Sequence, residues 1–137
     1  MAKKQSRRGS LTDPSRLSPL DPNGDGTIQV VIETPKGSRN KYAFDADLKI
    51  FQLKKVLPAG MAFPYDFGFI PSNLADDGDP VDVLVLMDEP AFPGCLLKCR
   101  VIGVIVALFV LFLTLLRLDY SDDTTFQKTA RKRGLVH

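Results

Sequence analysis

Histidine is almost missing from these 137 residues: the single one is His137, the last position. A terminal side chain is a poor place for a positioned catalytic group, so Ser-His-Asp hydrolysis, HExxH metalloprotease chemistry and His-rich zinc sites are excluded. Cysteine is scarce too. Cys95 and Cys99 are the only two, and Cys-Leu-Leu-Lys-Cys fits neither a CxxC redox pair nor half of a zinc ribbon. They read as reduced, partly buried thiols. A charge excess is also missing, with 18 Lys+Arg against 16 Asp+Glu for a formal +2, which does not signal a nucleic-acid partner. No N-terminal apolar segment of the secretory type precedes the first polar stretch, so the expected compartment is the cytoplasm.

The charge that is present is unevenly placed. Residues 1–20 hold five basic groups and one acid (+4), residues 117–137 hold five and three (+2), and the middle is left at −4. The first segment is basic, Ser-rich and interrupted by prolines, and 1–26 is expected to be a disordered basic arm. Its Arg7-Arg8-Gly9-Ser10 fits a basophilic kinase pattern of a kind common by chance.

From Thr27 the chain turns to short alternating runs with Gly/Pro turns between them. Ile28, Val30 and Ile32 fall on one face of a strand, with Gln29, Val31 and Glu33 on the other. Further strands are expected at Lys41–Phe44, Ile50–Leu53, Val81–Met87 and Cys95–Ile105, around an aromatic cluster from Phe63 to Pro71. Many short strands and almost no helical period before residue 100 point to an antiparallel barrel or sandwich. Val101–Leu116 then runs 16 residues without a charge between Arg100 and Arg117. That is slightly short of the about 17–25 residues of a spanning helix, leaving a membrane anchor as one reading and a buried strand with an abnormal tail as the other.

Three groups could carry chemistry. Asp21-Pro22-Asn23-Gly24-Asp25-Gly26 opens like a calcium loop, but its twelfth position is Ile32 where a bidentate Glu is needed, so a polar turn is the better account. Asp76-Asp77-Gly78-Asp79-Pro80-Val81-Asp82 puts four carboxylates in seven residues at the mouth of a strand. A solvated acidic turn is the plain reading. Crowded carboxylates on a rigid turn are also what a hard cation such as Mg²⁺ needs. The third group is Lys36, Arg39, Lys41, Lys54 and Lys55, cations that would suit a phosphate compound if they face the metal-binding acids.

Val31-Ile32-Glu33, Asn40-Lys41-Tyr42, Phe63-Pro64-Tyr65-Asp66-Phe67-Gly68-Phe69-Ile70-Pro71, Asp77-Gly78-Asp79-Pro80-Val81-Asp82-Val83-Leu84-Val85 and Pro93-Gly94-Cys95 through Ile102-Gly103-Val104 closely resemble the soluble family I inorganic pyrophosphatases. The resemblance covers about residues 28–105, with every motif in the family's order. It implies a mainly β protein of α+β family type, a five-stranded OB-like barrel over 27–105, hydrolysing pyrophosphate to two orthophosphates with several Mg²⁺ ions. It also implies that Asp77 and Asp82 bridge metals, that Asp79 binds metal and helps activate the attacking water, and that Glu33 belongs to the same acidic cavity. Lys41 falls where the family binds phosphate with Lys, and Lys55 where it often uses Arg.

The sequence departs from the family at Ala43, where many members have Glu, at Phe67, often Tyr, and above all after Val104. There the family places two more metal-binding Asp residues and a Lys, while this chain continues Ile105-Val106-Ala107-Leu108-Phe109. Residues 106–137 are accordingly expected to be a foreign tail, apolar and open to a helical reading and then basic, of the kind an altered transcript or reading frame produces. The barrel is expected to be incomplete, and turnover by this chain alone negligible. The alternatives are a non-catalytic membrane-associated protein and a pseudoenzyme assembling with further copies or with intact subunits.

Overall fold

Strands account for nearly all the regular structure in a computed structural model that describes residues 13–74, 79–106 and 112–118. They are β1 (Ile28–Thr34), β2 (Asn40–Asp45), β3 (Ile50–Val56), β4 (Asp66–Leu74), β5 (Pro80–Leu86), β6 (Leu96–Val106) and β7 (Phe112–Leu118). Five close into a barrel in the order β1-β4-β5-β7-β6, and β2 and β3 form a separate two-stranded sheet. The expected mainly β, five-stranded OB-like barrel is present.

β1 is paired on both edges, antiparallel to β4 and to β6. Val30, Ile32, Ile70, Val83, Val85 and Cys99 make the core, each apolar side chain contributing about 1.5–3 kcal/mol through burial. The alternation of β1 led to the expectation of one buried face, yet Val31, Glu33 and Thr34 are buried as well. The β2–β3 hairpin covers the second face: the Tyr42 N–H donates to Thr34 Oγ1 (3.0 Å), Thr34 Oγ1 donates to the Tyr42 carbonyl (3.0 Å), and Phe44 stacks on Phe69. β4 was not resolved as a strand in the sequence because Pro64, Pro71 and the crowded aromatics hide its period. Gly68 is essential there, since a Cβ would lie 2.1 Å from the Val31 carbonyl oxygen.

The tail differs from expectation. Residues 112–118 form a strand, not a helix, and close the barrel by pairing antiparallel with β6 and parallel with β5. A strand with a parallel neighbour reads as a continuous apolar run, which sequence period alone cannot separate from a helix. The barrel therefore extends past 105, and the bond-deficient edge expected of an incomplete barrel is filled. Among the described residues no helix is long and apolar enough to cross a membrane.

The arm also differs. Arg7 to Ser10 lie outside the described residues, but 13–26 carry a 3-10 turn at Pro14–Arg16 capped by Asp13, a bridge from Leu20 to Ile28, and Asp21 buried against Lys98 Nζ at 2.9 Å. The Asp21–Lys98 contact is one of charge rather than a directed hydrogen bond. The calcium-like loop is a turn: Asp25 Oδ1 accepts from the Thr27 N–H and hydroxyl, and the Asp21 N–H donates to the Thr27 carbonyl.

Leu115→Pro, which removes an N–H from the strand between β5 and β6, is expected to open the barrel, and Cys99, fully buried, then reacts with a thiol reagent without denaturant. Gly68→Ala is expected to lower stability by at least about 1–3 kcal/mol in urea melts, because the obstructing atom is backbone.

Candidate functional site

Two β-bulges aim the side chains of interest. On β1, Ile32 faces Gly68 and Thr34 faces Phe67, so Glu33 is the extra residue. On β3, Lys55 faces Lys41 and Leu53 faces Tyr42, so Lys54 is the extra one. Bulges re-aim side chains and are enriched beside active sites. Across the barrel wall, Asp82 of β5 faces Phe69 of β4, which faces Val31 of β1. The row brings Asp82 toward Glu33, two positions along β1 from Val31.

Glu33 is buried, and burial is the main cause of a pKa raised to about 7. The Phe44 N–H donating to Oε1 at 2.7 Å opposes that rise, the nearby Asp82 carboxylate adds to it, and the Lys41 ammonium opposes it. Glu33, Asp82 and Lys41 thus share one electrostatic neighbourhood. Lys41 Nζ rests 5.7 Å from the Phe67 ring centroid, and Phe67 packs in turn on Phe63. Lys55, exposed on β3, stands directly across the ladder from Lys41. Like charges opposite one another destabilise a ladder, and a bound anion would relieve that cost.

The ladder of β4 and β5 breaks between Phe69 and Leu74, where Ser72 has a φ of 51°. Asp79 is exposed just before β5. Asp77 lies outside the described residues. Among the described residues no three His, Cys, Asp or Glu side chains converge in metal-binding geometry. The donors that do approach one another, Glu33 and Asp82, are oxygen only, and each disfavours the other's charge, which is the chemistry a hard divalent cation satisfies.

Three of the five basic residues singled out in the sequence act within the fold. Lys36 Nζ donates to the carbonyls of Met87 (3.1 Å) and Asp88, Arg39 Nη2 donates to the Leu57 carbonyl (3.0 Å), and Lys54 Nζ to Gln52 Oε1 (2.6 Å). Lys41 is the lysine that acts on Glu33, and Lys55 stands across the ladder from it. Asp66, fully buried, was missed by sequence reasoning. Its signal was a carboxylate inside the aromatic run Phe63–Phe69.

The pattern of the inorganic pyrophosphatase family matches residues 30–108, and the chain belongs to that family. An inorganic pyrophosphatase from Synechocystis is 53% identical over 93 residues, 68% of this chain and 54% of that protein. A soluble inorganic pyrophosphatase from Solanum tuberosum is 41% identical over 72% of this chain and 46% of its own. The inorganic pyrophosphatase structure from Thermus thermophilus superposes with a TM-score of 0.67 at 35% identity, over 84% of this chain and 66% of that one. That from Ehrlichia chaffeensis gives 0.71 at 34%, over 82% and 72%. The chain spans about half the length of the curated relatives it matches. β7 begins beyond the family match.

Because Glu33 binds its proton more tightly folded than unfolded, its contribution to stability is full below its ordinary pKa of 4.5 and is lost as pH rises through about 7. With a chelator present, Glu33→Gln is expected to flatten that slope, removing roughly 3 kcal/mol of change across the window, in unfolding free energies from urea melts between pH 4 and 8.

Proposed function

We propose that the chain is an inorganic pyrophosphatase by descent that takes pyrophosphate, with Mg²⁺, into the acidic and basic cluster at the barrel mouth. The observation that carries this is Glu33, the extra residue of a β1 bulge, with the Asp82 carboxylate and the Lys41 ammonium acting on its charge in opposite senses. Asp77, Asp79, Asp82 and Glu33 are the residues that would hold the cation, whose chemistry when bound is to lower the pKa of water and neutralise phosphate charge. Asp79 holds the proton that the attacking water gives up. Lys41 and Lys55 take the phosphate oxygens from the opposite side and orient the diphosphate against the acids.

The cytoplasm is the compartment that fits this activity, and further copies or intact subunits are the partners that fit it. Residues after Val104 supply none of the carboxylates that the family resemblance implies there, so this chain is proposed to bind better than it turns over. Orthophosphate release from pyrophosphate with Mg²⁺ is expected to fall far below the usual enzymic range of about 1–10³ per second. Binding of the non-hydrolysable imidodiphosphate with Mg²⁺, measured by calorimetry, is expected to persist and to weaken about tenfold or more in Lys41→Met or Asp82→Asn. Wild-type protein that binds no imidodiphosphate refutes the reading. Release within the enzymic range would show instead that the site is complete.

A further inference from the structure

The Asp66 carboxylate is fully buried, and each of its oxygens accepts a backbone N–H from a different loop. Oδ1 takes the Lys36 N–H at 2.6 Å, from the turn between β1 and β2, and Oδ2 takes the Ala91 N–H at 3.0 Å, from the connection between β5 and β6. The donors are 30 and 25 residues away along the chain. Lys36 closes the ring from the other side, its ammonium on the Met87 and Asp88 carbonyls of that same connection. A buried carboxylate satisfied by main-chain amides is held strongly in place, and it in turn fixes those amides.

The turn it holds is the root of the β2–β3 hairpin. Around it the Gly37 N–H donates to the Phe63 carbonyl (2.8 Å) and the Phe63 N–H to the Ser38 carbonyl (3.0 Å). Lys41 lies five residues beyond Lys36, and its ammonium rests over Phe67, the residue next to Asp66. Alternation along β4 sends Asp66 and Phe67 to opposite sides of the strand. One short piece of β4 thus grips the hairpin root on one side and supports the hairpin's lysine on the other.

We propose that Asp66 is a positioning residue for Lys41: by chelating the Lys36 and Ala91 amides it sets where the β2–β3 hairpin leaves the barrel, and so where Lys41 and Lys55 stand relative to Glu33 and Asp82. The consequence for ligand binding rests on the pyrophosphate reading above; the placement itself does not. In Asp66→Asn one oxygen becomes an NH₂ group facing an N–H, so one loop loses its anchor.

Two measurements on the full chain test this: the upfield ring-current shift of the Lys41 side-chain protons over Phe67, by NMR, and imidodiphosphate affinity with Mg²⁺. In Asp66→Asn the shift is expected to fall by at least half and the affinity about tenfold. Lys36→Met, which keeps its backbone N–H on Asp66, is expected to keep both. A folded Asp66→Asn with unchanged shift and affinity overturns the proposal, and so does a Lys36→Met that loses the shift as fully. Wild-type protein that binds no imidodiphosphate defeats the pyrophosphate reading, and the shift still decides the positioning role. If Asp66→Asn does not fold, amide exchange in the wild type decides. The Lys36 and Ala91 amides are expected to be protected as well as those of β1, and fast exchange there with an intact Lys41 shift overturns the proposal.

Discussion

Every strand of a barrel must find two neighbours, and the other features of this molecule follow from how that requirement is met. β1 sits between β4 and β6, β4 between β1 and β5, and the ring is left open unless something joins β5 to β6. β7 does so with an apolar segment lying beyond the family match. Closure is a demand of the backbone, for paired N–H and C=O groups, and side chains need only be compatible with it. An apolar segment beyond the family match can therefore complete the wall.

The same wall sets the surroundings of Glu33. Because the hairpin of β2 and β3 lies over the second face of β1, Glu33 is buried instead of facing water. Burial and the neighbouring Asp82 both favour the protonated form, while Lys41 and the Phe44 N–H favour the carboxylate. The balance is held near neutrality, so small changes in local charge decide which form is present. A cation or an anion arriving there meets groups already set against one another.

Much of this was legible in the sequence. The strands β1, β2, β3, β5 and β6 follow from alternating or β-branched runs bounded by Pro and Gly, and their ends fall within a few residues of the observed ones. The acidic turn Asp76–Asp82 and the lysines before it stood out in the sequence as types and spacings, since crowded like charges are unfavourable without a counter-ion. What stayed hidden depends on contacts between distant segments. Nothing local to Glu33 indicates that it occupies a bulge covered by Phe44, and nothing local to Asp66 indicates two amides 25 and 30 residues off. Residues 112–118 were ambiguous for another reason: an apolar run satisfies a helix and a doubly flanked strand equally well, and only the available edge between β5 and β6 selects the strand.

The direction of β7 bears on how the chain reaches this state. Every other pairing in the barrel is antiparallel, and β7 alone runs parallel to a neighbour, β5, with β6 intervening in the chain. Such a contact cannot begin as a hairpin. It waits until β6 has folded back on β1 and β7 has folded back on β6, so closure belongs to the late, non-local part of folding. Until then β5 exposes a bare edge beside a long apolar segment, the kind of surface through which chains associate with one another. The interval before closure adds that bare edge to the apolar side chains that β6 exposes even in the finished barrel, Leu96, Val101, Ile102 and Val104.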